Sequence, residues 1–199
     1  INIKNTNFSK VEKGIHFKNV SFQYEGPQSP HILKDINIYI PAGKVTAIVG
    51  ASGSGKTTLI KLLLKFYAPV NGEIFFNNLN INKISPLDLR KNCGVVMQDG
   101  FIFSDTIERN IATNEEEINY TKLNKALEIA NIKSFISELP LGLTTKIGTS
   151  GNGISGGQKQ RILIARAVYK NPHYIFFDEA TSALDAENVK IIHNNLQDF

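Results

Sequence analysis

Cysteine is nearly absent from this chain. Cys93 is the only one among 199 residues, which excludes an intrachain disulfide and any metal site built from several thiolates. In "NCGVV" it reads as a small buried side chain. Long apolar runs are missing too: no stretch approaches the roughly 20 residues that cross a bilayer, and no secretory leader pattern opens the chain. The expectation is a soluble piece, cytoplasmic in character, that works at a membrane only if something else holds it there. Charge of one sign never accumulates. Twenty-two basic residues against 18 acidic leave +4, and the basic ones are scattered, so the stripe of a nucleic-acid-binding face is not there. No internal repeat or low-complexity tract occurs. With 42% hydrophobic and 20% charged residues, the length suits one sizeable core rather than two.

Residues 1–13 are polar and patternless, as in a linker. Alternation then begins. "IHFKNVSFQY" sets Ile15, Phe17, Val20, Phe22 and Tyr24 among polar neighbours, and "HILKDINIYI" does the same with Ile36, Ile38 and Ile40, as in half-buried strands. "VTAIV" at 45–49 reads as a buried parallel strand. A helix is expected over 56–67, with Leu59, Leu62, Leu63 and Phe66 on one face, stopped by Pro69 and Gly72. "EIFFN" and "CGVVMQ" read as further strands. From about 99 to 153 the character becomes helical, with Leu123, Ala126, Leu127 and Ala130 at helical spacing. A helix from about 156 to 170 ends at Asn171-Pro172, and "YIFF" at 174–177 is another buried strand. This order predicts an α/β core, mostly parallel, with an antiparallel β part at its N-terminal end and an inserted helical subdomain.

"GASGSGKT" at 50–57 fits G-x-x-x-x-G-K-[ST] between a strand and a helix, the setting in which such a loop cradles phosphates. Gly50, Gly53 and Gly55 let the backbone wrap with its amides inward, and the helix start adds free N–H groups and a positive dipole end. Lys56 is placed to reach the β and γ phosphates, and the Thr57 hydroxyl to ligate Mg²⁺. Ser52, Ser54 and Thr58 complete the candidate nucleotide-binding set. "YIFFDEATSALD" supplies carboxylates just past a buried strand, at the edge where open α/β sheets bind ligands. Asp178 would hold Mg²⁺ through water, and Glu179 would polarise an attacking water as general base. No N-K-x-D base-reading motif occurs, which disfavours a GTPase.

A second glycine-led helix start follows at "ISGGQKQR". Ser155 and Gln158 fit the capping box S-x-x-Q, a complete structural account by itself. Two adjacent bare glycines, Gly156 and Gly157, exceed what a cap requires and suit close approach of a phosphate to backbone amides. One nucleotide is not easily held by both starts of one chain, so two chains arranged head to tail, each closing the other's site, is the economical arrangement.

"GASGSGKT", "VVMQ", "ISGGQ", "FFDE" and "SALD", in that order, resemble the nucleotide-binding domain of an ABC transporter from about residue 14 to the end. The resemblance implies an ATPase using ATP and Mg²⁺, with "ISGGQ" acting in trans on a partner's ATP. It makes Gln98 the glutamine that contacts Mg²⁺ and the attacking water. It places Ser182 and Asp185 at the dimer interface and Tyr24 on the adenine; a core aromatic is the alternative for Tyr24. "GFIFSDTIERNI" at 100–111 resembles the exporter segment that meets the coupling helices of a membrane domain, with Phe101 and Phe103 either there or in the core. "LPLGLTTKIGTSGNGISGGQKQR" is closest in flavour to exporters of peptides or bacteriocins.

The implied partners are a second such domain and a membrane domain that holds the chain at the cytoplasmic face of the inner membrane, with no nucleic acid. Against the family pattern, Ile154 stands where leucine is usual and Thr149 where exporters often carry glutamate. The family's switch histidine has no counterpart among His16, His31, His173 and His193, so the chain is expected to be a fragment truncated at its C-terminus. The alternatives are a soluble ABC-type ATPase acting on nucleic acid or the ribosome, and a fragment that binds ATP but hydrolyses it poorly.

Overall fold

The computed structural model describes residues 13–199 apart from 27, 114, 150, 152, 180–182 and 198. The linker expected over 1–13 and Ser182 therefore lie outside the described residues, Lys13 excepted. The chain divides into two compact units, residues 1–86 and 87–199.

The first unit is built on an antiparallel sheet of β1 (Gly14–Phe22), β2 (Leu33–Pro41), β3 (Asn71–Phe76) and β4 (Leu79–Asn80), in the order β2-β1-β3-β4. The apolar spacing of β1 is not strictly two, because Phe17 and Val20 are three apart. A bulge between them takes up the extra residue, with Asn19 at φ 50°. Both side chains thereby reach the core face, and Ile15, Phe17, Val20 and Phe22 are all at most 3% exposed. Helix α1 (Lys56–Leu63) follows the phosphate loop and buries Leu59, Leu62 and Leu63.

Two expectations fail in this unit. Residues 45–49 form no strand among the described residues, and Val49 is 92% exposed. An apolar run marks a segment fit for burial, but a strand exists only where a neighbour takes its N–H and C=O groups; among the described residues the sheet of this unit consists of β1–β4. Helix α1 also ends before Phe66, which is exposed. Lys65 turns to φ 54°, ending the helix, and its ammonium donates to the Ile81 and Ile84 carbonyls.

The second unit contains α2 (Pro86–Lys91), β5 (Cys93–Val96), β6 (Asp105–Thr106), α3 (Ile107–Ile111), α4 (Tyr120–Ile129), α5 (Lys133–Ser137), β7 (Lys146–Ile147), α6 (Gly156–Tyr169), β8 (Tyr174–Phe177) and α7 (Ala186–Gln197). Helix α6 runs through the middle of its core, packed on α3, α4 and β5. Ile162, Ile164 and Ala165 are fully buried, as are Ile107, Ile111, Leu123 and Ala126 from the helices around it. Strands β5 and β8 pair in parallel, Cys93 opposite Tyr174 through Val96 opposite Phe177. Among the described residues this pair is the parallel part of the fold, and β6–β7 is antiparallel. No helix among the described residues is long and apolar enough to cross a membrane.

Candidate functional site

In the first unit the loop at 50–55 is shaped by its glycines. Gly53 lies at φ 78° and Gly55 at φ 94°, a left-handed region that side chains other than glycine enter at a cost. Gly55 is the N-cap of α1 and no side chain caps the helix. No N-cap side chain takes a first-turn N–H here, an arrangement that suits a phosphate at the helix start. A β-carbon on Gly50 would lie 2.6 Å from the Ser54 hydroxyl, so glycine there makes room for that side chain inside the loop. Lys56 Nζ donates to the carbonyls of Gly50 and Ala51, at 3.0 Å each. Its charge thus rests over the loop on weak neutral acceptors that an anion would outcompete. Ser52 and Ser54 are exposed, and Thr57 is half-buried beside them.

Tyr24 stands just past β1 and is 45% exposed, so it is not a core aromatic. Its hydroxyl meets Thr58 Oγ1 at 3.0 Å, and its ring takes edge-on contacts with Phe22 and Tyr67 at 4.9 and 5.2 Å. Neither the Thr58 bond nor the Tyr67 contact was legible in the sequence, since both join segments more than thirty residues apart.

In the second unit Gln98, Asp178 and Glu179 collect at one edge. Gln98 follows β5 and Asp178 follows β8, two strands in parallel register, and the Asp178 N–H continues the ladder to the Val96 carbonyl at 2.9 Å. The Asp178 carboxylate is 5% exposed, while Gln98 and Glu179 face solvent. Glu179 sits at φ 50°, a strained conformation for a residue with a side chain, of the kind that collects at functional sites. Among the described residues no group of three or more His, Cys, Asp or Glu forms an all-protein metal cage. Magnesium is ordinarily held by one or two protein oxygens together with phosphates and water, and in this unit the Asp178 carboxylate is a donor of that kind.

The capping box at the start of α6 is present. Ser155 Oγ accepts from the Gln158 N–H at 3.2 Å, and the Ser155 N–H donates to Gln158 Oε1 at 2.8 Å. The two glycines differ in their surroundings: a β-carbon on Gly157 would lie 3.2 Å from the Ala183 carbonyl oxygen, whereas one on Gly156 would meet only Ala183 Cβ at 3.5 Å. Gln160, buried within α6, accepts from the Ala183 N–H at 3.1 Å. Asp185 is exposed and caps α7, taking the Asn188 N–H at 2.8 Å and its amide at 2.7 Å. Those bonds from Asn188 hold its carboxyl below the usual carboxylate range.

Phe101 and Phe103 are 64% and 49% exposed and stack edge to face at 5.3 Å, so neither is a core residue. Behind them Arg166 of α6 donates to the Asn110 and Phe101 carbonyls at 2.6 and 2.7 Å and to Asn110 Oδ1 at 3.1 Å. Asn110, fully buried, binds both the N–H and the C=O of Phe103. Thr149 pairs with Ser104 at 2.8 Å. The Arg166–Asn110 clamp is not legible in the sequence; an arginine set inside the apolar run "ILIARAV" is its one signal.

The family description for ABC transporters matches residues 33–182. The leukotoxin translocation ATP-binding protein LktB of Mannheimia glucosida is 45% identical over 188 residues, which cover 94% of this chain and 26% of that protein. The exotoxin translocation ATP-binding protein PaxB of Pasteurella aerogenes is 44% identical over 188 residues, with 94% of this chain and 26% of its own length covered. A solved bacterial Atm1-family ABC exporter with ATP bound superposes with a TM-score of 0.87 at 38% identity, over 94% of this chain and 33% of that one. The chain thus spans about a quarter of the length of the curated relatives it matches. The α/β P-loop fold expected from the sequence is borne out by these likenesses.

Proposed function

The chain belongs to the ABC transporter family, and from that premise we propose that it binds and hydrolyses ATP to drive export of a peptide or protein cargo. The observation that carries this reading is the glycine-led, uncapped start of α1 with Lys56 beside it. The relatives named for leukotoxin and exotoxin translocation support the direction and the class of cargo.

Lys56 leaves the Gly50 and Ala51 carbonyls for the terminal phosphates, and the first-turn amides of α1 take phosphate oxygens. Thr57, Asp178 and Gln98 are the metal-side groups; bound Mg²⁺ would neutralise charge on the phosphates. Glu179 orients and deprotonates water, with Gln98 contacting the same water. Tyr24 offers its exposed ring to the adenine, a stack worth about 1–3 kcal/mol that reads no base edge. Ser155, Gly156, Gly157 and Gln158 serve the nucleotide of a second copy, with Asp185 at the interface between copies.

Phe101 and Phe103 form the contact to a membrane domain that holds the chain at the cytoplasmic face of the inner membrane. Their exposure supports this, because large aromatics left in water are characteristic of contact surfaces.

Light scattering on the Glu179→Gln protein, with and without Mg-ATP, tests the arrangement. A shift from monomer to dimer on adding Mg-ATP is expected. A variant that dimerises without ATP, or that hydrolyses ATP at the normal rate, would count against it.

A further inference from the structure

The contact between Tyr24 and Thr58 joins two parts of the first unit to which the nucleotide reading gives separate tasks. Thr58 is the third residue of α1, 5% exposed. In a helix the Cα–Cβ bond tilts toward the N-terminus, which for Thr58 is the end of α1 that the loop at 50–55 leads into. Tyr24 comes from the end of β1, and the two oxygens are 3.0 Å apart. The tyrosine ring is braced by the edge-on contacts of Phe22 and Tyr67, and the Lys61 ammonium stands 5.7 Å from its centre. The hydroxyl is therefore delivered by a packed cluster rather than by a free rotor.

A threonine hydroxyl has one proton and two lone pairs. When Tyr24 donates to Thr58 Oγ1, the Thr58 proton is left to point elsewhere, and a hydroxyl that accepts one bond donates the next more strongly. We propose that Tyr24 is a positioning residue for the phosphate site: its hydroxyl donates to Thr58 and directs the Thr58 proton toward an anion bound at the start of α1. The proposal rests on reading residues 50–58 as that site. It assigns to the Tyr24 hydroxyl a task separate from any stacking by the ring, so one side chain serves both ends of the nucleotide.

Titration calorimetry on this chain with two probes, Mg-ATP and Mg-tripolyphosphate, which has no base, separates the tasks. Tyr24→Phe keeps the ring and is expected to weaken both probes by the same factor, about fivefold, the effect of one ordinary hydrogen bond. Thr58→Val is expected to weaken both at least as much, Thr58→Ser to bind like the parent, and Tyr24→Phe to add nothing on the Thr58→Val background. Tripolyphosphate bound by Tyr24→Phe as tightly as by the parent would overturn the proposal. So would tighter binding, which would make the bond a restraint that ligand has to break. Tyr24→Ala examines the stack separately, since its further loss relative to Tyr24→Phe should appear with ATP alone. Lys56→Ala examines the site itself: unchanged tripolyphosphate binding there would move the site off this loop.

Discussion

Gly157 lies so close to Ala183 that a β-carbon on it would stand 3.2 Å from the Ala183 carbonyl oxygen. Together with the Gln160–Ala183 bond, this ties the start of α6 to Ala183, two positions before Asp185. One of the two adjacent glycines thus has a reason within its own chain. Gly156 has none, because its β-carbon would meet only Ala183 Cβ at ordinary distance.

Gly156→Ala is therefore the informative substitution. Thermal melting should show stability within about 1 kcal/mol of the parent, since alanine in a helix is no worse than glycine. ATP-dependent dimerisation, followed by light scattering in the Glu179→Gln background, should be lost if the bare backbone approaches a partner's phosphate. A dimer formed as before would leave Gly156 as nothing more than a helix-start residue. Gly157→Ala should lower stability as well, because the Ala183 carbonyl has to give way.

Lys56→Ala separates binding from folding. The ammonium donates to the Gly50 and Ala51 carbonyls from a partly exposed position, so its removal should shift the melting temperature little. Mg-ATP affinity measured by calorimetry should fall by a hundredfold or more, on the order of what a desolvated charge on phosphate is worth. Retained affinity would remove the loop from the nucleotide site.

The contrast between residues that could be read and those that could not has a physical basis. Ser155 and Gln158 satisfy each other's backbone across three positions, so the capping box is written in contiguous letters. The strand at 174–177 came out at its expected bounds because an apolar run ended by Asn171-Pro172 before it and a carboxylate after it marks itself. Val45–Val49 carried the same kind of run, yet a strand also needs a partner, and sequence pattern does not supply one. Phe66 was expected on the buried face of α1, but the left-handed turn at Lys65 intervenes, fixed by carbonyls at residues 81 and 84. Arg166 and Asn110 are 56 residues apart, and no local rule joins them. The exposure of Phe101 and Phe103 was likewise left open by their sequence alone.

Arg166→Lys should loosen the segment that presents those two aromatics. Three acceptors diverge around the guanidinium, and an ammonium on a shorter reach does not serve all of them. Burial already pushes the guanidinium's pKa down, so no easy gain from solvent offsets the loss. A destabilisation of about 1–3 kcal/mol is expected, with Mg-ATP affinity unchanged. The chain contains no tryptophan, so Phe101→Trp gives a single reporter whose emission and acrylamide quenching should change when Arg166→Lys is added. An unchanged signal would show that the clamp does not set the position of Phe101.

Cys93 offers a test in pH. Its side chain is 1% exposed, and burial pushes the thiol from 9.0 up to about 11, against the smaller opposing pull of Lys170. Between pH 9 and 11 the unfolded chain gives up the thiol proton while the native chain keeps it, so protons are bound more strongly by the native state there. Stability from this group is complete below pH 9 and declines as the pH rises through that window. Melting curves taken from pH 8 to 11 should show the parent losing more stability than Cys93→Ala, with the two running parallel below pH 9. At pH 8 the native thiol should resist iodoacetamide and become reactive in urea, because the thiolate is the nucleophile. Rapid labelling of the native chain at pH 8 would place Cys93 in water, and with it the β5 edge that pairs with β8.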